Sequence, residues 1–483
     1  MEKILPALEG QLRRFRANAA GMAEGHPSLA GQLGAQEWPP DAHVDRLVQG
    51  VAALHARAEL ALRRARCQQD EHLLALHFPD QLRPFPECRI GPAQHGSAGA
   101  GAWGVIRSAR YDPGPAASIE LELEFGPADG QVDAQRPRFL DIFIDADAAF
   151  SAALRDALLT GEGGAWTDHA GQWRPLASRP IALIGLDPGD ALLPRAPGAH
   201  AGLALLREYF CFPARFNVVR LDLSAFEGVR CCTLKLPAPQ SRLLEALQAS
   251  HLRAGWSARA CLKRVAAAPV NIDGRQSEYL VSVPPELEIF SIDRVHIGGA
   301  EDLGWVVRRA DDAPAGHGWR IAFHGTQAWL AGAVASIDVS CCERAQVLAR
   351  PARGAGCRWQ LNSLLALDHL PLTASALREL MATQAIGHSA ESRAIIAAVC
   401  ALDAKSTMLC MDRAAPFLGT EIGLHIDEAG FAGRGLQLFG QVMDRFFGEC
   451  AHMNTFTRLV LLSAGTGKEL MRCKARNAGT LLE

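Results

Sequence analysis

The 483-residue sequence has few lysines and little net charge. Only six of its 49 Lys and Arg residues are lysine, and 52 Asp and Glu residues bring the formal net charge to −3 at pH 7. Dedicated nucleic-acid-binding proteins carry an excess of positive charge that neutralises phosphates. The composition argues against that class, and we attribute the preference for arginine, in a chain rich in alanine and glycine, to coding bias.

The sequence also lacks a long hydrophobic run. Its most continuous one, residues 394–402, has nine residues, whereas a membrane-spanning helix needs about 20. At the N-terminus, Lys3 and Pro6 come before any apolar stretch, so no secretory signal is predicted. We therefore expect a cytoplasmic protein without direct insertion into a membrane.

The chain contains no C-x-x-C pair, although it has 13 cysteines. They are scattered between residues 67 and 473 and include two adjacent pairs, an arrangement that does not suit a zinc site or a disulfide framework. We predict that they are small buried residues and that the protein uses neither a metal nor another cofactor.

An amphipathic helix is predicted near the N-terminus. After Asp41, which can cap a helix, Val44, Leu47, Val51 and Leu54 recur at the spacing of one helical face. This apolar stripe belongs either to a bundle shared with other subunits or to the core of its own domain, and the periodicity does not distinguish the two. The N-terminal helical unit is expected to span residues 1–88.

The remainder predicts an α+β fold with two or three mixed, β-containing domains. Alternating patterns predict strands at 119–125, 139–144 and 422–426, an amphipathic helix is expected over 436–447, and a hairpin over 456–475. We expect a first α+β region with long loops at 89–200, a β-rich middle domain at 201–350 and a C-terminal α+β domain at 351–483.

Four short motifs resemble catalytic or ligand-binding sites but lack essential parts. Residues 99–104 (GAGAWG) fit G-x-G-x-x-G without the preceding strand and following helix that a dinucleotide site needs. The sequence Gly465-Thr-Gly467-Lys468 lacks the first glycine and the terminal Ser or Thr of a phosphate loop. We interpret the first motif as a loop and the second as a hairpin turn.

The other two motifs are better explained by helix capping. Ser389 follows Gly387 as in a nucleophile elbow but lacks the second glycine, and helical spacing follows it. The carboxylates Asp141, Asp145 and Asp147 lack the loop glycine of a calcium site and precede a predicted helix. No group of residues in the sequence has the pattern of a catalytic site, so we expect that the protein is not an enzyme.

A series of short segments follows a definite order along the chain. They are residues 41–57, 73–79 (LLALHFP), 82–86 (LRPFP), 205–216 (LLREYFCFPARF), 288–295 (EIFSIDRV), 359–372 (WQLNSLLALDHLPL), 419–421 (GTE), 444–446 (DRF) and 454–457 (NTFT). In this order they resemble the TssF family, also called ImpG or VasA, of the bacterial type VI secretion system. The chain is shorter than that family leads us to expect, and the missing length falls around residues 90–200 and 235–280.

The resemblance implies a structural baseplate wedge subunit. It implies that more than one copy binds one TssG subunit, that TssK, TssE, the VgrG spike hub and the sheath are further partners, and that the assembly lies at the cytoplasmic side of the inner membrane. Two alternatives remain: a baseplate component of a phage-like contractile tail, and a ligand-binding enzyme domain that uses residues 99–104 or the three aspartates.

The richest aromatic segment is a second candidate interface. It contains Tyr209, Phe210, Phe212 and Phe216. Aromatic side chains anchor many protein interfaces, but burial in the core of their own domain is the usual fate of such residues. The sequence leaves both possibilities open.

Overall fold

The computed structural model describes most of the chain after residue 41. The described residues are 42–92, 104–126, 137–161, 163–168, 171–298, 304–309, 318–323, 332–350, 355–365, 367, 373–387, 389–409, 417–431, 433–451, 455–477 and 480–481. The chain divides into two compact units, one formed by residues 1–72 with 354–358 and the other by residues 73–353 with 359–483.

The described residues form α-helices, short 3-10 helices and strands. The α-helices are α1 (Ala42–His77), α2 (Ala148–Leu159), α3 (Ala201–Cys211), α4 (Ala355–Leu365), α5 (Ala374–Gln384), α6 (Ala390–Ala397) and α7 (Leu436–Glu449). The 3-10 helices are Pro79–Leu82, Pro188–Asp190, Pro213–Asn217, Leu223–Phe226, Leu243–Ala246, Ala249–His251, Arg344–Gln346 and Glu428–Phe431.

The strands follow in chain order. They are β1 (Phe85–Pro86), β2 (Cys88–Pro92), β3 (Gly104–Asp112), β4 (Ser118–Phe125), β5 (Phe139–Ile144), β6 (Ala165–Thr167), β7 (Arg174–Pro175), β8 (Ile181–Leu183), β9 (Val218–Asp222), β10 (Cys231–Pro237), β11 (Leu252–Ala254), β12 (Trp256–Ala260), β13 (Lys263–Ala266), β14 (Val270–Asn271), β15 (Tyr279–Val281), β16 (Leu287–Ile297), β17 (Trp305–Arg309), β18 (Trp319–Phe323), β19 (Val334–Glu343), β20 (Val347–Ala349), β21 (Val399–Leu409), β22 (Phe417–Ile426), β23 (Thr455–Ser463), β24 (Glu469–Arg472), β25 (Arg476–Asn477) and β26 (Thr480–Leu481). The predicted α+β class is confirmed.

Two sheets and α2 share one core. One sheet has the order β3-β4-β10-β6-β7 and the other β11-β5-β9-β8. The alternation predicted for residues 119–125 places Ile119, Leu121 and Leu123 in this core, where Leu140 and Ile142 meet them from the second sheet. Both sheets combine strands from before and after residue 200, so the boundary predicted there does not separate two sheets.

A second group of strands covers the middle of the chain. The long strands β16 and β19 pair antiparallel, and β13 and β14 pair with the other edge of β19. A further three-stranded sheet has the order β15-β18-β17. The short strands β1 and β2 pair with β20 and β12, far along the chain, so residues 85–92 join elements that sequence order separates.

The C-terminal sheet is built around a parallel pair of strands. Strands β22 and β23 run parallel, and α7 connects them. The predicted amphipathic helix is confirmed: its apolar side chains, among them Phe439, Met443 and Phe446, are buried. The predicted hairpin is also present, since β23 pairs antiparallel with β24 across the turn at residues 464–468.

Burial along β22 gives a direct test of this core. Leu424 is fully buried and Leu418, on the same strand, is 58% exposed. We expect Leu424→Ala to lower the free energy of unfolding by about 2–5 kcal/mol, because it leaves a cavity. The matched variant Leu418→Ala should stay within about 0.5 kcal/mol of the parent in a denaturant titration. Equal losses in the two variants would contradict this assignment of the core.

Candidate assembly interface

Helix α1 carries the first candidate interface. It is 36 residues long, and its side chains are described from Leu54 onward except at residues 64 and 68. Leu54 is 65% exposed and Leu62 is 59% exposed. Together with the exposed Ala58 and Ala65, they continue one helical face at spacings of three and four. Val44, Leu47 and Val51 lie in the same helix, but their side chains are outside the described part of the structure.

Helix α1 ends at His77, where a proline prevents its continuation. Pro79 cannot donate a backbone hydrogen bond, and it opens the 3-10 helix Pro79–Leu82. The second unit begins at residue 73, within the last turns of α1, and there Leu74 is fully buried and Leu82 is nearly so. The segment formed by residues 79–84 is therefore the attachment point of the C-terminal end of α1.

Two buried arginines hold the backbone of this segment. Arg207, on α3, donates to the carbonyl oxygens of Asp80 and Arg83 at 2.6 and 2.5 Å. Arg309, on β17, donates to the carbonyl oxygen of Leu82 at 2.6 Å. We call these three contacts the arginine clamp. A charged donor to a buried carbonyl is stronger than a neutral one, so the clamp fixes the segment after α1 to two distant elements.

Buried amides hold the same segment from another side. Gln81 accepts hydrogen bonds through Oε1 from the side-chain amides of Gln360, on α4, and Gln384, on α5, each at 3.0 Å. The carboxylate of Asp80 accepts from the backbone N–H of Ala196 at 2.9 Å. Five separate parts of the second unit thus bind the side chains and backbone of residues 80–83.

The aromatic candidates in α3 and in the 3-10 helix segment that follows it belong mainly to the core. Tyr209 and Phe216 are fully buried, Phe210 is 5% exposed, and Phe212 is half-buried. The ring of Tyr209 contacts the rings of Phe210 and Phe216 at centroid distances of 5.1 and 6.1 Å. In the isolated chain this cluster packs inside the second unit, so the apolar face of α1 is the more accessible of the two candidate interfaces.

Charged residues surround this aromatic cluster. Glu208 pairs with Arg215 and accepts from the backbone N–H groups of Leu192 and Leu193 at 3.1 and 3.3 Å. Burial lowers the pKa of Arg215 to about 10, so the guanidinium stays charged at neutral pH. The pair ties the end of α3 to the loop before it.

Another arginine pair links α2 to the segment preceding α7. Arg434 lies over the ring of Tyr209 at 5.7 Å and donates to the carboxylate of Glu391 at 3.3 Å. Its own carbonyl accepts from Arg155 at 2.8 Å, and Arg155 also donates to the side chain of Asn217 at 3.0 Å. The buried arginines missed by sequence reasoning therefore have a structural use that coding bias does not explain.

The motifs that resemble ligand sites have structural partners instead. Asp141 binds Arg220 through two hydrogen bonds of 2.7 and 3.1 Å, and Asp145 pairs with Arg253. The predicted capping is confirmed: Asp147 caps α2, and Ser389 caps α6. Gly104 begins β3, while residues 99–103 lie outside the described residues.

Among the described residues, no three or more His, Cys, Asp or Glu side chains are grouped so that they could hold a metal ion. Within the same residues, no helix combines the length and the apolar character needed to cross a membrane.

Comparison with known proteins identifies the family. The family model described as "Type VI secretion system, TssF" matches residues 1–102, 100–304 and 319–480. The chain belongs to the TssF family. It is similar to the type VI secretion system component TssF1 of Pseudomonas aeruginosa PAO1, with 24% identity over 621 aligned positions that cover 98% of each protein. Because the alignment is longer than this chain, this TssF relative contains insertions that the chain lacks.

Two solved structures share the fold of this TssF-family chain. A chain of a TssK-TssF-TssG baseplate subcomplex matches with a TM-score of 0.69 and 18% identity, covering 89% of this chain and 98% of that one. A chain of a type VI secretion system baseplate complex matches with a TM-score of 0.53 and 18% identity, covering 97% and 98%.

The arginine clamp can be tested by removing one guanidinium. Arg207→Met removes the guanidinium donor from both carbonyls. The carbonyl of Asp80 keeps the backbone N–H of Arg83 as a donor at 3.2 Å, whereas the loss of the donor to the Arg83 carbonyl should cost about 1–3 kcal/mol. We expect a lower Tm and faster amide hydrogen exchange at residues 80–83. Arg242→Met, which removes an exposed arginine, is the control and should change neither. Unchanged exchange at residues 80–83 in the Arg207 variant would contradict the clamp.

His200 supplies a pH-dependent contribution to stability. Its Nδ1 accepts from the backbone N–H of Leu203 at 3.3 Å and caps α3, and burial lowers the pKa of the imidazole below its ordinary value of 6.5. The unfolded chain then binds more protons than the folded one near that value, so stability is highest above it and falls as the pH falls.

An asparagine at this position keeps the cap but does not titrate. Between about pH 7.5 and pH 5.5, we expect the Tm of His200→Asn to fall less than that of the parent chain. Thermal unfolding across this range is the measurement. Parallel pH profiles for the two proteins would show that His200 does not contribute.

Proposed function

We propose that this chain is a structural baseplate subunit of a type VI secretion system and that it positions other subunits instead of catalysing a reaction. The observation that carries the proposal is the exposed apolar face of α1, where Leu54 and Leu62 are 65% and 59% exposed. A scaffold subunit needs an accessible apolar surface, because association buries such surface.

The relatives suggest which partners to test first. One similar solved structure is that of a TssK-TssF-TssG baseplate subcomplex, so we propose that this chain binds the TssG and TssK homologues of its own system. More than one copy would bind one TssG. We extend the proposal to TssE, to the VgrG spike hub and to the sheath, with assembly at the cytoplasmic side of the inner membrane.

The face of α1 is the proposed site of TssG binding. Leu54, Leu62 and Leu76 are the exposed large apolar side chains on its described part, and Leu54 and Leu62 are the two that lie nearer the predicted stripe. Helices that associate through such a stripe bury it against a complementary apolar face. The predicted residues Val44, Leu47 and Val51 extend the same stripe towards the N-terminus, so they are proposed members of this interface.

Co-expression with the TssG homologue, followed by size-exclusion chromatography with mass determination, tests the proposal. The parent chain should form a mixed complex with more than one copy of this chain. The double variant Leu54→Gln, Leu62→Gln should bind at least about tenfold more weakly with an unchanged Tm, because it places amides in an apolar interface.

A matched control distinguishes the effect of changing this surface from the effect of replacing exposed leucines in general. Leu243 and Leu418 are 53% and 58% exposed at other sites, and their double Gln variant should assemble like the parent. Normal assembly of the α1 variant would exclude this face as the binding site. A parent chain that remains a folded monomer beside TssG would overturn the proposed function.

A further inference from the structure

A notch lies beside the segment that follows α1. Three arginines line it, Arg83, Arg195 and Arg207, and the rings of Phe85 and Phe290 form part of its apolar wall. Its cavity volume is about 20 Å³, and it is open to solvent. Arg195 is exposed and Arg207 is buried, so the notch extends from solvent to a buried guanidinium.

The carboxylates in the lining are already engaged. Asp80 pairs with Arg83 at 3.0 Å and also accepts from the backbone N–H of Ala196. Glu208 pairs with Arg215, which lies outside the lining, and accepts from two backbone N–H groups. The lining therefore contains more positive than negative charge after its internal pairs are formed.

Arg207 is the buried centre of this excess charge. Its side chain is 5% exposed, and the hydrogen bonds it donates go to the carbonyl oxygens of Asp80 and Arg83. Its Nε is buried without an acceptor. The carboxylate of Asp80 offsets part of the cost of burying this cation, but the hydrogen bonds that Arg207 donates reach only neutral carbonyls. An anion in contact with the guanidinium would relieve more of that cost.

We propose that this notch binds one small anion, a carboxylate or an inorganic oxyanion, between Arg195 and Arg207. Guanidinium groups recognise both chemistries through charge-assisted hydrogen bonds. Apart from the charged residues and Gln81, the wall is apolar, so the space suits the end of one side chain or a single free ion. The anion has two possible sources: a free ion from solution or the carboxylate of a residue on a partner subunit.

Thermal unfolding of the full chain at constant ionic strength tests the site. A sodium salt of the bulky sulfonate HEPES is replaced stepwise by sodium acetate or sodium phosphate. Binding to the folded state alone should produce a saturable rise in Tm. The apparent Kd should weaken at least about tenfold in Arg195→Gln, which removes one guanidinium, and in Ala204→Leu, which fills the notch without changing its charge.

The control is Arg242→Gln, which removes an exposed arginine elsewhere and should respond like the parent. No saturable rise in the parent chain, or an equal rise in the parent and both notch variants, would overturn the proposal. If Ala204→Leu unfolds, Arg195→Gln decides the result, because that side chain is exposed.

The same titration on the assembled complex identifies the source of the anion, and only this part relies on the proposed function. If a partner's carboxylate fills the notch, the complex should no longer respond to acetate, and Arg195→Gln should weaken assembly. If a free ion fills it, the response should persist in the complex. Failure of the chain to assemble would leave the result on the isolated chain unaffected.

Discussion

The contact on which this structure most depends is between two arginine side chains and three backbone carbonyls. Arg207 and Arg309 reach residues 80–83 from α3 and β17, at the place where α1 ends and the sheets of the second unit begin. Buried carbonyls need donors, and a 3-10 turn that follows a proline cannot supply them all from its own backbone. Distant side chains meet this need and at the same time join elements that lie far apart in sequence.

Buried arginine side chains also join neighbouring elements around α3. Arg215 neutralises Glu208, Arg434 lies on Tyr209, and Arg155 binds the carbonyl of Arg434. Arginine suits these positions because its guanidinium stays charged when buried and distributes several donors in one plane. The segment 205–216, which carries part of the family resemblance, is therefore joined through Arg434 to α2 and α6. Its aromatic side chains serve mainly this internal packing.

Because these aromatic and arginine side chains are buried inside the second unit, contacts with other subunits depend on residues at the surface. On the part of α1 whose side chains are described, large apolar residues remain exposed at Leu54 and Leu62. Solved baseplate chains share this fold at only 18% identity. Such divergence is compatible with a buried core that fixes the fold and a surface that makes the contacts, since many sequences satisfy the same pattern of burial while surface residues change freely. The proposed anion notch adds a polar contact close to the attachment point of the helix.

Local patterns determined much of the fold. Alternation of apolar residues located β4, β5 and β22, periodicity located α7, and capping chemistry explained Asp147 and Ser389, because each of these features depends on neighbours within one or two turns. The order of short segments along the chain identified the family. The helical stripe that includes Val44 and Leu54 was also visible in sequence as a candidate interface.

Only the tertiary structure decided which long-range contacts form. The pairing of β1 with β20, the sheets that combine strands from both sides of residue 200, and the burial of Tyr209 and Phe216 depend on residues more than 100 positions apart in many cases. The arginine clamp was equally invisible, because an arginine that donates to backbone carbonyls needs no partner of a particular residue type. The abundance of arginine was visible in the composition, but only the folded chain shows which carbonyls the arginine side chains reach.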